Sequence, residues 1–378
     1  MSEARAWAEV DLEAIAHNVG VLRKVAAPAP VLAVVKAGGY GHGAVPVAGA
    51  ALDAGAVGLG VATPDEGVEL REAGVDAPVM VLSEPRPPEF AACAAFALEP
   101  TLYTATGIRA AAAAATRHGH QLRVHLKVDT GMHRVGADPA DAVELADAIA
   151  AEPSLELASV FTHCAVADEP DDPFTGEQLG RFHDALRALA DHGHRPASRH
   201  AANSAAALLH PTARLDLVRC GIALFGIPPA PGLADRAAAI ADLRPALALK
   251  AAVSFVKEVR AGERVSYGLR HRFERDSVVA TLPIGYADGV PRRLHELGVD
   301  VLVGGRRCPI VGVITMDQLL VDCGPVGEAP VPQVGAEAVL IGEQGDEQVT
   351  AEDWASRLGT IAYEIVCGIG PRIPRVYS

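Results

Sequence analysis

The chain has 378 residues, which at about 150 residues per domain favours two domains with enough chain to bury a sizeable core. Lys and Arg number 33 against 47 Asp and Glu, a net charge of −14 spread without an acidic or basic block, so the balance argues against a nucleic-acid partner. Half of the residues are apolar and 4% aromatic, which excludes disorder and suits a close-packed helix-and-sheet enzyme.

The stretch from Met1 to Val10 lacks a basic leader followed by an apolar core, and no apolar run approaches the roughly 18 residues of a membrane span. No membrane association and a cytoplasmic location are therefore expected. In chain order, Ala6–Val10 reads as a strand before a helix capped by Asp11. Short β-branched runs then begin near Val31, Val57, Val79, Leu102, Leu122, Leu155, Ser198 and Leu215. Alanine- and leucine-rich helical text lies between them, strongest over 64–73, 105–118, 139–151 (Pro139 first, Asp138 as its cap) and 174–191. About eight such units favour a closed parallel barrel over an open sheet.

After Asp242 the texture changes to short strands punctuated by glycine, over 249–256, 264–267, 277–284, 300–303, 311–321 and 338–341, with a hairpin signal at Gly304-Gly305. Helical periodicity nearly vanishes there. The expected fold class is α/β: a TIM (β/α)8 barrel over residues 1–242, with a C-terminal mainly-β domain over 243–378 to which Ala6–Val10 is a candidate extra strand. The six cysteines form no Cys-x-x-Cys pair and read as reduced thiols. Fourteen histidines include no His-Glu-x-x-His, so no protein-bound metal is expected.

Polar residues interrupt the barrel text just after the strands, at Lys36, 127–134, His163, Asn203-Ser204 and Arg219. In a parallel barrel that is the C-terminal rim, where active sites are built. Lys36 closes the apolar run 31–35 and opens Gly38-Gly39-Tyr40-Gly41-His42-Gly43. A lysine at such a mouth can be desolvated and made nucleophilic, whereas a snorkelling surface lysine explains neither the apolar lead nor the loop.

The segment Val34-Val35-Lys36-Ala37-Gly38-Gly39-Tyr40-Gly41-His42-Gly43 resembles the pyridoxal-phosphate lysine motif of the alanine racemases, the fold-type III pyridoxal-phosphate enzymes. The resemblance runs collinearly through 125–134, Thr162-His163, 200–204, 217–222, Val265-Ser266-Tyr267-Gly268, 282–289, Met316-Asp317-Gln318 and 360–365. It implies a racemase interconverting L- and D-alanine by a two-base mechanism with pyridoxal 5'-phosphate, supplying D-alanine for cell-wall peptidoglycan. It also implies a homodimer in which sites are shared between chains, with Lys36 and Tyr267 meeting from different copies.

By the same resemblance, Lys36 holds the cofactor as an imine and, once released, serves as base on one face of the substrate Cα, with Tyr267 as base on the other. A core aromatic is the alternative at Tyr267. Arg219 points at the pyridine nitrogen, and His163 lies beside the ring unless it is simply a satisfied core histidine. Phosphate falls to Ser204, the amides of Gly221 and Ile222, and the hydroxyls of Tyr40 and Tyr363, with Asn203 close by. Arg134 contacts the phenolic oxygen and the substrate carboxylate, and Met316 adds a backbone amide to that carboxylate. Lys127 is often carbamylated in the family, an unmodified salt-bridging lysine being the alternative; Tyr286 and Asp317 line the entrance.

Several positions depart from common family patterns. Gly38-Gly39 stands for Asn or Asp then Ala, His133 for Gly, Cys220 and Phe225 for Pro and Tyr, and Val313, Thr315 and Ala362 for Arg, Cys, and Asn or Pro. The glycine pair is expected to loosen the loop beside the lysine if a β-carbon would fit at those positions. Rival readings are a racemase of serine or another small amino acid, a non-catalytic pyridoxal-phosphate carrier, and a decarboxylase of the same architecture. A carrier has no need of a second base, and such decarboxylases place an acidic residue where this chain has Arg219.

Overall fold

Short apolar strands alternating with amphipathic helices suit a parallel barrel, because each strand is covered by a helix outside and by layered side chains within. The computed structural model describes residues 4–378 apart from Ala234 and Ala329. The first three residues of the N-terminal stretch, read above for a leader and as the start of the first domain, lie outside the described residues.

Strand β1 (Ala6–Val10) leads into α1 (Leu12–Ala26). Eight strands follow: β2 (Val31–Val34), β3 (Gly58–Val61), β4 (Val79–Val81), β5 (Glu99–Leu102), β6 (Leu122–Lys127), β7 (Leu155–Phe161), β8 (Ser198–His200) and β9 (Val218–Cys220). They pair in parallel in the order β8-β7-β6-β5-β4-β3-β2-β9, with Leu32 opposite Gly58 and Lys127 opposite Phe161. Hydrogen bonds from Asp216 N to the Arg199 carbonyl (3.0 Å) and from Arg219 N to the Ala202 carbonyl (2.9 Å) draw the two edges together, so the sheet is nearly closed as a barrel.

The connecting helices are α2 (Ala44–Asp53), α3 (Pro64–Glu72), α4 (Phe90–Ala95), α5 (Ala105–His118), α6 (Ala142–Ala150), α7 (Phe174–Asp191) and α8 (Ser204–Leu209). Helix α3 starts in a capping box between Thr63 and Glu66, and Pro139–Asp141 is a 3-10 turn ahead of α6, with the Asp138 carboxylate accepting from Ala140 N at 2.9 Å.

The chain divides into two compact units, Glu13–Pro245 in one, and residues up to Leu12 with Ala246–Ser378 in the other. The seam thus falls at Pro245/Ala246, and β1 goes with the C-terminal strands because its backbone pairs there: antiparallel to β10 (Leu247–Ala252) and parallel to the last strand, Arg375–Tyr377. The second unit continues with β11 (Phe255–Val259), β12 (Arg264–Val265), β13 (His271–Arg272), β14 (Ser277–Leu282), β15 (Asp300–Val303), β16 (Arg306–Pro309), β17 (Leu319–Pro325) and β18 (Glu337–Gln344). The apolar faces of β11, β14 and the neighbouring loops bury Val259, Val265, Phe273, Val279 and Val311 together.

Four details differ from the sequence reading. The run 249–256 is two strands in two sheets, β10 and β11, broken at Val253-Ser254. The run 311–321 is a loop to residue 318 and then β17: the Thr315 hydroxyl donates to the Gln318 carbonyl at 2.8 Å and accepts from Gln318 N at 3.1 Å, closing a turn where apolar text suggested strand. Pairing at 264–267 stops at Val265, since Ser266 takes φ +59° and turns the chain, which leaves Tyr267 on a 3-10 turn. Helices α9 (Ala351–Leu358) and α10 (Ala362–Cys367) are additions; each is too short for its apolar spacing to register, though the Thr350/Asp353 capping box marks the first. Gly304 and Gly305, at φ +61° and +72°, do form the hairpin turn between β15 and β16.

Candidate active site

Lys36 stands at the C-terminal end of β2, and the chain after it enters the left-handed region five times in succession, at Ala37 (φ +54°), Gly38 (+60°), Gly39 (+63°), Tyr40 (+52°) and Gly41 (+82°). Each such turn costs an L-residue roughly 1–2 kcal/mol, which glycine avoids. The glycine pair therefore fits this backbone, correcting the expectation of a loosened loop: a β-carbon is strained at both positions and at Gly39 would also lie 3.3 Å from Ala44 Cα. Glu66 holds the entry to the turn, its carboxylate accepting from Ala37 N and Ala62 N at 2.7 Å each.

The turn carries Tyr40 inward, its ring centroid 5.0 Å from that of Phe225, with His42 4.4 Å from the same ring. The departure at Phe225 thus supplies an apolar shelf for both. The Tyr40 hydroxyl is so close to Gly221 that a β-carbon there would lie 2.3 Å from it. Ser204 joins them, its hydroxyl accepting from Gly221 N at 2.9 Å and Ala223 N at 3.4 Å, and Ile222 opens the 3-10 turn that follows. Asn203 is committed to α8, capping it through Ala206 N at 2.9 Å. Tyr40, Ser204, Gly221 and Ile222 thus form one small cradle of hydroxyls and amides.

After β6, the Asp129 carboxylate accepts from Gly131 N, Met132 N and His133 N at 2.9, 3.0 and 3.1 Å, which fixes the loop that presents Arg134. His133 occupies φ +54°, the conformation for which the family's glycine is suited. Lys127 is buried, and desolvation with the nearby Arg219 and Arg134 charges pulls its ammonium down to about 8, against a counter-pull from Asp129.

Arg219 is also buried and makes use of its planar fork: Nη1 donates to His200 Nδ1 at 2.8 Å, and Nη2 to the Thr162 and Ala201 carbonyls at 2.8 and 3.1 Å, with His163 Nδ1 at 3.2 Å. Its carbon Cζ lies 5.0 Å from the Phe161 ring, which stacks on His200. Desolvation lowers it to about 10, still a cation at neutral pH. Burial and the charges of Arg219, Lys127, Arg134 and Lys36, in that order, hold His163 neutral, well below the ordinary imidazole value. Four cationic side chains around one neutral histidine make a site that binds anions.

In the other unit, Tyr267, Met316 and Tyr286 are exposed at 72, 52 and 43%. Their backbones are nonetheless tied to one another's loops: Ser266 Oγ donates to the Val313 carbonyl (2.6 Å), Tyr286 N to Thr315 O and Ala287 N to Met316 O (3.0 Å each). Asp317 pairs with Arg372 at 2.7 Å, and Arg372 also reaches the buried Asp288, which accepts from Gly285 N. Tyr363 lies half-buried on α10.

Residues that the sequence reading did not single out complete the barrel rim. Gln178 on α7 donates to the Thr130 hydroxyl (3.3 Å) and the His163 carbonyl (3.1 Å), and Thr130 shares a hydrogen bond with Thr162. Gln178 falls on the buried stripe of α7, four residues from both Phe174 and Phe182, and that helical spacing is the signal that could have set it apart from a solvated position. Among the described residues no helix is long and apolar enough to cross a membrane.

Residues 10–229 match the family model described as the alanine racemase N-terminal domain, and residues 246–377 the alanine racemase C-terminal domain. The chain is 49% identical over 372 residues to an alanine racemase of Symbiobacterium thermophilum, covering 98% of this chain and 97% of that one. It is 44% identical to one of Thermobifida fusca, over 99 and 98% of the two chains. Among solved structures it is similar to the alanine racemase of D-cycloserine-producing Streptomyces lavendulae (TM-score 0.93, 42% identity, 100 and 98% coverage). It is similar also to that of Bacillus anthracis with bound L-Ala-P (TM-score 0.91, 36% identity, 100 and 96% coverage). Both halves of the sequence, the barrel with its cationic rim and the β unit after it, therefore lead to one statement: this chain is a member of the alanine racemase family.

Proposed function

We propose that this enzyme interconverts L- and D-alanine with pyridoxal 5'-phosphate as cofactor, in a cytoplasmic homodimer, and so provides D-alanine for peptidoglycan. The observation that carries the reading is the buried Arg219 fork at the barrel rim, with Nη2 3.2 Å from His163 Nδ1, and the further charges of Lys127, Arg134 and Lys36 that act on the same ring support it. The donor set suits the cofactor. The hydroxyls of Tyr40 and Ser204 and the amide of Ile222 offer neutral donors for a phosphate, with the Gly221 amide, which here donates to Ser204 Oγ, beside them in a cradle that a β-carbon at Gly221 would fill. The neighbour that holds L-Ala-P supports an amino-acid ligand of alanine's size.

When bound, pyridoxal phosphate supplies the electron sink that makes an α proton removable. The chain's own groups do the rest. With the cofactor bound, Lys36 would hold it and, once released, would act as base on one face of the substrate Cα, Tyr267, from a second copy, would act on the other, and Tyr363 would add its hydroxyl at the phosphate. Arg219 has only donors to offer and keeps its charge, so it cannot accept a hydrogen bond from a protonated ring nitrogen and would favour the unprotonated one. Arg134 would hold the cofactor's phenolic oxygen and the substrate carboxylate, together with the Met316 amide, and Tyr286 and Asp317 would line the approach. Lys127, with its ammonium near 8, is a fit target for carbamylation by carbon dioxide, which would convert one of the two buried cations of the rim into an anion able to hold Arg134.

Incubating the purified enzyme with L-alanine and with L-serine in deuterated water, read by chiral chromatography and mass, tests this. D-alanine carrying one deuterium is the expected product. Preferential formation of D-serine would replace the substrate assignment, and no exchange at Cα would overturn the activity.

A further inference from the structure

Arg219 is the visible end of a longer chain of polar side chains that passes round the barrel interior, one strand at a time. His200 on β8 accepts from Arg219 at Nδ1 and meets Ser159 Oγ on β7 through Nε2, at 2.8 Å each. Ser159 meets His125 Nδ1 on β6 at 2.7 Å, and His125 Nε2 meets Glu99 Oε2 on β5 at 3.0 Å. The other Glu99 oxygen receives Arg123 Nη1 at 2.7 Å. His125, Ser159 and His200 are buried. The far end opens on a cavity of ≈ 270 Å³ lined by Pro30, Leu32, Val57, Met80, Glu99 and His125 among others.

The two ends dictate where every proton lies. A guanidinium can only donate, so His200 Nδ1 carries no hydrogen and the neutral ring has its proton on Nε2, aimed at Ser159. The hydroxyl of Ser159, having accepted there, gives its single hydrogen to His125 Nδ1. That leaves the His125 proton on Nε2, facing the Glu99 carboxylate, which can only accept. The opposite sense is closed: a His125 proton on Nδ1 would turn the Ser159 hydroxyl toward His200 Nε2, and the His200 proton would then face the Arg219 donor.

We propose that Glu99, His125 and Ser159 are positioning residues for Arg219. They lock His200 as the neutral Nε2–H tautomer, whose Nδ1 lone pair fixes the guanidinium at the opposite mouth of the barrel. The proposal rests on the reading of Arg219 as the partner of the cofactor ring. The direction of titration agrees: burial and then the Arg219 charge hold His200 well below the ordinary imidazole value. At the other end, burial would raise Glu99, but the His125 hydrogen bond and the neighbouring cations outweigh it and lower the carboxyl. A purely apolar barrel interior would leave the inner edge of Arg219 without this acceptor, an expensive condition for a buried charge.

Nitrogen-15 solid-state NMR of histidine-labelled full-length protein reads the tautomers directly, with His125 and His200 assigned by single replacement. The expected result is Nε2–H for both rings in the parent chain, a shifted and broadened His200 Nε2–H signal in Ser159→Ala, where that proton has lost its acceptor, and return of the parent pattern in Ser159→Thr, which restores the hydroxyl. In step with this, Ser159→Ala is expected to lose about tenfold in kcat with little change in KM, and Ser159→Thr to recover most of it. An Nδ1–H signal at His200 in the parent chain overturns the proposal, as does a Ser159→Ala variant with unaltered His200 signals and kcat. Because the tautomer signals do not depend on turnover, a parent enzyme that shows them but racemises nothing refutes the proposed function and not the chain.

Discussion

The two groups of residues assigned to the reaction are held in opposite ways. At the barrel rim Arg219 and Lys127 are buried, and every donor of the Arg219 fork that is described above has an acceptor fixed by β7, β8 or the segments just beyond. In the other unit Tyr267, Tyr286 and Met316 are exposed side chains on loops whose backbones are hydrogen-bonded together. The rim is preorganised by burial, which makes its charges strong and their protonation states unusual. The second set is preorganised by hydrogen bonds of its loop backbones and of Ser266 Oγ, and its side chains still need a covering surface, which the proposed second copy would supply.

The largest expected effect breaks the comparison at the rim. Lys36→Ala is expected to lose both the visible absorption of bound cofactor and at least about a thousandfold in racemisation, since one amine serves as anchor and base. A variant that keeps the absorption band would remove Lys36 from the site. Tyr267→Phe should keep the absorption and lose racemisation, because the exposed residue has no part in anchoring.

Mixing those two inactive variants then asks whether the exposed set works on another copy. In a two-fold dimer with shared sites a mixed dimer has one doubly damaged site and one intact site. Random exchange makes about half the dimers mixed, so activity should return to roughly a quarter of the parent's. With exchange verified by differently tagged chains, no recovery would mean that each site is built from one chain.

Much of this was legible beforehand, and the unread parts share a cause. Strand runs and the collinear motifs located the barrel and its rim residues, because apolar lead plus polar break is what a strand ending at a mouth looks like. Left-handed backbone at Ala37 and Tyr40, the closed turn at Thr315 and the chiral swing at Ser266 depend on dihedral angles, which residue type specifies only weakly outside glycine. His125, Ser159 and Glu99 were hidden for another reason. They sit inside strands at alternating positions, and a polar residue there reads as a solvated face until closure of the sheet turns that face inward.

Acid should weaken the rim before it touches the exposed set. Burial holds His163 and His200 well below the ordinary value, whereas in the unfolded chain both titrate near about 6.5. Above that pH both states are neutral and the contribution to stability is fully present. As pH falls below about 6.5 the unfolded chain binds protons first, and stability declines by up to about 1.4 kcal/mol per pH unit per histidine until the folded-state values are reached. Urea midpoints between pH 7.5 and 5 should show the decline, and His200→Gln should make it shallower. An equal slope in that variant would place the acid sensitivity elsewhere.

The smallest effect compares two departures in the barrel unit that place opposite residue types in the same backbone region. Gly38 lies at φ +60° with no atom within 4 Å of an added β-carbon, so Gly38→Ala meets no clash and tests backbone conformation by itself. It should destabilise by about 1 kcal/mol, the left-handed cost exceeding the entropy gained by restricting the unfolded chain. His133 lies at +54° with an exposed side chain 3.8 Å from Asp129, a pairing of little value at a surface. His133→Gly keeps the backbone donor to Asp129 and relieves the same conformation, but it loosens the unfolded chain, so a gain of only about 0.5 kcal/mol is expected. Urea unfolding of the two variants side by side should move the midpoints in opposite directions. A stabilised Gly38→Ala would mean that the turn after Lys36 does not hold its left-handed geometry in solution.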